Sequence, residues 1–342
     1  MKILSATLAT LMFASGTNFP SAQLDQLVSD RAASAALLAV DDSEGRQSDA
    51  AGDAVPSGYF RIGSVTKTFV ATVVLQLVDE GRLSLDDPID RHLPGQVPNG
   101  ENITVRQVLN HQSGIYDYAH DAGYSTNRWR GTERFRHFEP GELLAVAFSH
   151  PPYFSPGQGW HYSNTNYVIA GLLIERLTDH SYGAEIARRI LLPLGLSQTS
   201  VPGDRPGLPR PHARGYAEVD GKLADATLMN PSLDWAAGEM ISTTRDLNQF
   251  FDALLGGRLI SPAALAEMRG YVPATSLFDY GLGLQRFHLP CGKTVEGHSG
   301  ELLGYTTYSL HGSEIQATLS YNPLPSADPA TTLISLFSTI YC

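Results

Sequence analysis

One apolar run constrains this chain more than any other feature: the stretch that follows Phe60-Arg61-Ile62-Gly63-Ser64-Val65-Thr66-Lys67-Thr68-Phe69. Val65, Phe69, Val70, Val73, Val74, Leu77 and Val78 cover most of a helix surface, and Gly81 supplies a C-terminal stop. A helix that is apolar nearly all round cannot lie on a surface, so the remaining elements must enclose it. Ser64 has the chemistry of an N-cap for this helix. Ser64 and Lys67 stand three apart and share a face of its first turn, which sets a hydroxyl beside an amine inside the protein.

That pair permits nucleophilic catalysis. A serine attacks only when a base takes its proton, and a lysine is such a base only where burial or nearby cations favour its neutral form. The N–H groups of a helix start suit an oxyanion. A bare S-x-x-K far more often describes an N-cap followed by a lysine that reaches solvent. Only four of the 24 basic residues are lysines (Lys2, Lys67, Lys222, Lys293), so an ordinary surface cation here would be an arginine. The motif needs partners elsewhere in the chain.

With 342 residues the chain can bury a sizeable core, and 42% hydrophobic and 17% charged residues are values of a globular protein. A formal charge of −11 argues against nucleic-acid binding and against adhesion to an anionic membrane. Residues 1–22 read as a secretory signal peptide: one lysine, an apolar stretch over residues 3–14, and Ser21-Ala22 before Gln23. No other segment reaches the length of a membrane helix, so no stable span is expected. Cys291 and Cys342 are the only cysteines, and in an exported chain such a pair reads as a disulfide. The expected location is therefore extracellular, with a cytoplasmic enzyme as the alternative.

Along the chain, a helix over residues 23–34 and strands over 35–40 and from Arg46 precede the nucleophile helix. Thr104 caps a helix over 105–110, which runs into His111-Gln112-Ser113-Gly114. Further helices fall at 141–148, 167–178 and 182–190, with Tyr162-Ser163-Asn164 at the mouth of the second. Residues 200–215 read as a Pro- and Gly-rich connection. Thr243 caps a helix to Leu255, and Ser261-Pro262 starts another. Strands follow at 280–287, 295–298, 305–310 and 316–321, then a last helix at 331–341. The two ends thus share strand character around a helical middle: an α/β (α+β) sheet domain from 23–78 and 245–342, with a mainly helical domain, 79–244, inserted.

Three elements stand in order: Ser64-Val65-Thr66-Lys67, Tyr162-Ser163-Asn164, and His298-Ser299-Gly300 on a strand. The set resembles the S-x-x-K, Y-x-N and (K/H)-(T/S)-G signatures of the penicillin-recognising serine hydrolases, class C β-lactamase-like branch. Over most of residues 23–342 it is closest to the secreted D-alanyl-D-alanine carboxypeptidases of that family. The resemblance implies a β-lactamase/transpeptidase-like fold, an antiparallel sheet flanked by helices with an inserted all-helical domain. It also implies roles. Ser64 is acylated, and Lys67 is its proton partner. Tyr162 acts as general base in phenolate form. Asn164 holds the acyl amide, and His298 replaces the more common lysine of the third signature. The amides of Ser64 and Glu301 form the oxyanion hole, while Arg286 and the Ser299 hydroxyl, beside Gly300, bind a substrate carboxylate. Trp235 matches a tryptophan that packs near the site, and His111 a structural histidine.

The implied activity is a D-alanyl-D-alanine carboxypeptidase or transpeptidase that acts through an acyl-enzyme. Its substrates would be small peptides or esters, peptidoglycan stem peptides among them, with β-lactams as acylating ligands. The alternatives are a D-stereospecific amidase or aminopeptidase, an esterase, a peptide-cyclising thioesterase, or a non-catalytic penicillin-binding sensor. No H-E-x-x-H, no clustered His and Cys and no phosphate loop occurs, so neither metal nor cofactor is expected. Two positions depart from the pattern: Glu301 stands where a threonine helps bind carboxylate, and Glu239 replaces a small residue. Both acids favour an uncharged or cationic substrate end.

Overall fold

The computed structural model describes residues 19–342, so nearly all of the segment read as a signal peptide lies outside the described residues. Helix α1 (Ser21–Ser29) buries Leu24 and Leu27, and the expected cleavage position after Ala22 falls in its first turn. It ends five residues short of the expected 34 because Asp30 caps it, Arg31 turns left-handed at φ 58°, and the next strand begins at Ala33.

A hairpin follows, β1 (Ala33–Asp42) and β2 (Gly45–Gly52), then the short strand β3 (Phe60–Arg61) and the nucleophile helix α2 (Thr66–Asp79). The middle of the chain carries α3 (Val105–Leu109), α4 (Pro140–Phe148), α5 (Asn164–Thr178) and α6 (Tyr182–Ile186), which runs through a π-helical turn into α7 (Leu192–Leu194). It also carries a second hairpin, β4 (Tyr216–Val219) and β5 (Lys222–Asp225), and β6 (Ile241–Ser242), which pairs with β3. The remainder is α8 (Thr244–Leu255), α9 (Pro262–Met268), strands β7 (Val272–Pro273), β8 (Phe278–Tyr280), β9 (Gln285–His288), β10 (Thr294–Leu302), β11 (Tyr305–His311) and β12 (Gln316–Pro323), and α10 (Ala330–Tyr341).

Both chain ends meet in one eight-stranded antiparallel sheet of order β2-β1-β12-β11-β10-β9-β8-β7, closed between the termini by β1 against β12 with Ala36 opposite Tyr321. The alternation of β1 assigns its two faces. Ala36, Leu38 and Val40 pack with α1 and α10 in one core, whereas Leu37 joins the larger core built around α2, α5 and α8. Within α2 only Gln76, Val78 and Asp79 escape burial, so the helix expected to be enclosed is enclosed. Cys291 and Cys342 form a disulfide that ties the end of α10 to the turn before β10. Among the described residues no helix is long and apolar enough to cross a membrane.

Two further differences from expectation bear on the site. The single strand expected over 280–287 is two, β8 and β9. Residues 281–284 loop inward to α2, with Gly283 at φ +69° and its carbonyl accepting the Thr68 hydroxyl at 2.7 Å. Ser64 does not cap α2: it lies inside a 3₁₀ turn, Gly63–Val65, and the helix begins at Thr66 with no side-chain cap. Its hydroxyl is thereby left for other partners.

Candidate active site

The turn that carries Ser64 is pressed onto strand β10. Gly63 sits at φ +51°, and a Cβ built there would come within 2.6 Å of the Glu301 amide nitrogen. A Cβ on Gly300 would meet the Ile62 carbonyl at 2.0 Å and the Ser64 amide at 2.9 Å. Only glycine permits this approach, which sets the Ser64 and Glu301 amides side by side at the mouth of the cleft.

Beneath Ser64, the ammonium group of Lys67 is fully buried and donates to three acceptors: Ser64 Oγ at 3.1 Å, Asn164 Oδ1 at 2.7 Å and the Ala237 carbonyl at 2.7 Å. Burial lowers its pKa to about 7, against the opposing pull of Asp117 and Asp234. At neutral pH the amine is thus poised between its two forms.

Asn164, the first residue of α5, is fixed at both ends. Its Oδ1 takes the lysine, and its Nδ2 donates to Asp117 Oδ2 at 3.1 Å. One Nδ2 hydrogen and one Oδ1 lone pair remain for the acyl amide that the family resemblance implied, and Asn164 lines the cleft. Asp117, itself held by the Ala119 amide, is buried enough that its pKa is raised.

Tyr162 lies over Lys67, whose Nζ is 4.8 Å from the ring centroid, and its hydroxyl meets Ser64. Burial drives its pKa well above the usual phenol value, and the hydrogen bond with Ser64 only partly opposes this. The phenolate implied by the resemblance is therefore disfavoured; the buried environment keeps the phenol protonated.

His298 is buried on β10 with both ring nitrogens engaged, Nδ1 at the Ser299 carbonyl and Nε2 2.9 Å from the Tyr280 hydroxyl. A carbonyl can only accept, so Nδ1 carries the proton and Tyr280 donates to Nε2. Burial lowers its pKa to about 3, which leaves it neutral and a fixed support. His111 behaves likewise: it is fully buried, its Nδ1 accepts from the Ser163 amide at 3.2 Å, and burial pushes its pKa well down.

The cleft above these groups has a volume of about 360 Å³ and is lined by Ser64, Tyr162, Asn164 and the β10 segment His298–Glu301. Arg286 is not part of it. Side chains alternate along β9, so Gln285 faces the cleft while Arg286 turns to the opposite face. There Arg286 pairs with Asp279, Nη2 to Oδ2 at 2.6 Å, and stacks over Tyr271. Gln285 takes the cleft position instead, its Oε1 accepting the Ser299 amide at 2.6 Å and the Ser299 hydroxyl at 3.1 Å.

Glu301 is exposed, and its Oε2 accepts from Asn127 Nδ2 at 3.4 Å. Trp235, at φ 39°, stacks edge-on to Tyr182 and lines a different cavity, together with Glu239. Its neighbour Asp234 is the one that reaches the cleft.

Asp117, Asp234 and Gln285 were not among the residues that sequence reasoning selected. Asp234 is 4% exposed, and its Oδ2 has no hydrogen-bond partner. Burial raises its pKa to about 7, although Arg130, Lys67 and Arg61 pull the other way. The cleft lining thus includes two carboxylates, Asp234 and Glu301, and neither arginine nor lysine. No pattern around Asp117 or Asp234 announces a site; only Gln285 carried a signal, since a one-residue shift of the strand reading exchanges it with Arg286.

Comparison with known proteins gives a consistent picture. The sequence model described as Beta-lactamase matches residues 22–321. Penicillin-binding protein 4* of Bacillus subtilis (strain 168) is 29% identical over 278 residues, 78% of this chain and 60% of that protein. The chain thus spans about three-fifths of that relative's length. Among solved structures, a D-stereospecific amidohydrolase from Streptomyces sp. superposes with a TM-score of 0.89 at 37% identity, covering 95% of this chain and 99% of the other. The D-amino acid amidase of Ochrobactrum anthropi SV3, complexed with L-phenylalanine amide, superposes at 0.82 with 28% identity, covering 93% and 96%.

Proposed function

The chain belongs to the Beta-lactamase family, that of the penicillin-binding and β-lactamase-like serine hydrolases, and from that premise we propose that it hydrolyses amides, and small peptides, of D-amino acids that carry a free amino group. The observation that carries this reading is Asp234, a buried carboxylate in the Ser64 cleft with an oxygen that no donor satisfies. An unpaired buried carboxylate is costly, and a substrate ammonium group is the partner that would relieve it. The D-configuration is taken from the names of the two amidases above. The carboxypeptidase reading loses support because the cleft has no arginine to receive a terminal carboxylate.

In the reaction that follows, neutral Lys67 takes the Ser64 proton as Oγ attacks the amide carbon. The amides of Ser64 and Glu301 receive the oxyanion. Lys67 returns the proton by way of the Tyr162 hydroxyl to the departing nitrogen, the C–N bond breaks, and ammonia or an amine leaves an ester on Ser64. Water then repeats the sequence and releases the free amino acid. The test is hydrolysis of D-phenylalanine amide beside its L enantiomer and its N-acetyl derivative. Preference for the free D-amine supports the proposal, and preference for the N-acyl compound refutes it. Export, with removal of an N-terminal segment, is part of the same proposal and is read by the N-terminal sequence of the protein recovered from culture medium.

A further inference from the structure

Behind the Ser64 cleft lies a second cavity of about 870 Å³, within the range of small-molecule sites. Its walls are apolar and aromatic, with Trp235, Tyr182 and Phe138 among them, and it contains no lysine or arginine. Glu239 lines it and is 1% exposed. One carboxylate oxygen, Oε1, takes the Tyr182 hydroxyl, while Oε2 is buried with no hydrogen-bond partner. Around the cavity Asp204 and Glu139 are tied to His137, at 2.6 and 3.0 Å, and Glu175 accepts the Tyr182 amide at 3.1 Å. None of these groups donates to Glu239 Oε2, and the Gly203 amide on the same wall, which also acts on the carboxylate, supplies no counter-charge.

We propose that this cavity is a second binding site, separate from the Ser64 cleft, for an organic ammonium ion with an aromatic or branched apolar body, whose N–H group pairs with Glu239 Oε2. The chemistry argues for a cation over an anion or a neutral molecule. The lining carboxylates outnumber the one histidine, an unpaired buried carboxylate gains most from a charged donor, and the faces of Trp235 and Tyr182 attract a cation. Burial raises the Glu239 pKa to about 7, against the pull of Tyr182 and the Gly203 amide, as befits a carboxylate lacking a counter-charge. The site is also mechanically close to the chemistry. The turn that carries Trp235 provides the Ala237 carbonyl that holds Lys67, and the Met240 amide, next to Glu239, donates to Thr66 Oγ1 at 3.2 Å.

The experiment is calorimetric titration of the native protein with 2-phenylethylammonium, with uncharged 2-phenylethanol as the comparison probe. The Asp234 cleft can take the same amine, so substitutions assign the binding. Glu239→Gln removes the charge, and Ala184→Trp, at an exposed position on the cavity wall, blocks it without touching the core. The proposal requires saturable binding of the ammonium, weaker binding of the alcohol, and a loss of at least about 10-fold in both cavity variants, the size expected of one charge-assisted hydrogen bond. Asp234→Asn should cost this binding less than about threefold, because Asp234 does not line the cavity and acts on Glu239 only through space. Binding that ignores both cavity substitutions and falls with Asp234→Asn belongs to the cleft and overturns the proposal. Absence of saturable binding up to about 10 mM, weaker than the affinity of even a poor specific site, overturns it as well.

Discussion

Arg286 and Asp279 form an ion pair, Nη2 to Oδ2 at 2.6 Å, beside Glu296 and outside the cleft above Ser64. Adjacent residues of a strand face opposite ways, so this pairing and the presence of Gln285 in the cleft are one fact. It removes from the cleft the cation that a carboxypeptidase would use on its substrate's terminal carboxylate.

Arg286→Ala should therefore change kcat/KM for D-amino-acid amides by no more than about threefold, since the side chain touches nothing in the cleft. Gln285→Ala should lower it by at least about tenfold through the loss of both hydrogen bonds to Ser299. Steady-state rates on D-phenylalanine amide check both. A large effect at Arg286 with none at Gln285 would reverse the assignment of the two faces.

Lys67→Ala and Tyr162→Phe should each slow acylation by roughly 10²–10⁴-fold, the usual cost of losing a proton-transfer group. The pH profile separates their roles. With the Lys67 pKa lowered to about 7 and that of Asp234 raised to about 7, both ionisations make kcat/KM climb from pH 6 to 8, and the limb that persists in Asp234→Asn is that of Lys67 accepting a proton. His298, held to about 3, contributes no limb in that range. Stopped-flow acylation across this interval is the measurement, and a flat profile would remove Lys67 as the base.

Asp117→Asn preserves an acceptor for Asn164 while deleting a negative charge near the lysine. Losing an anion disfavours the ammonium form, so the Lys67 pKa must fall and the ascending limb must move to lower pH, by roughly half a unit to one unit. A limb that moves upward, or stays in place, would contradict the electrostatic account of this pair.

How far the site was legible in the sequence follows from what each residue type advertises. The apolar run behind Ser64 could only be an enclosed helix, and Thr104, Thr243 and Ser261 do cap helices. Ser64, Lys67, Tyr162, Asn164 and the 298–301 segment were found because their spacing forms a recognisable ordered set. Asp117 reaches Asn164, and Asp234 and Gln285 reach the cleft, only through tertiary packing of loops and a strand face, which no local period encodes. The Arg286 error has the same origin, since an inward loop at 281–284 divides the strand read over 280–287. The hairpin of β4 and β5 was legible and overlooked. Asp220-Gly221 is a two-residue turn signal, and both residues adopt positive φ, 50° and 74°.

Replacing both Cys291 and Cys342 by serine should lower stability by about 4 kcal/mol, because the bridge spans a separation of 51 residues and constrains the unfolded chain. Activity at low temperature should be retained, as neither cysteine lines the cleft. Urea unfolding of the native and double-substituted proteins measures the difference. A change below about 1 kcal/mol, well under the usual range, would show that the bridge adds little.

The central claim is that Asp234 reads the free amino group of the substrate, and its most direct measurement is a ratio of ratios. Let kcat/KM for D-phenylalanine amide be divided by that for N-acetyl-D-phenylalanine amide, in the native enzyme and in Asp234→Asn. The native ratio should exceed about 100, in line with a desolvated charge-assisted pair worth roughly 3 kcal/mol, and the substitution should bring it down by at least tenfold. A native ratio near or below one, or a ratio unchanged in Asp234→Asn, would contradict the assignment.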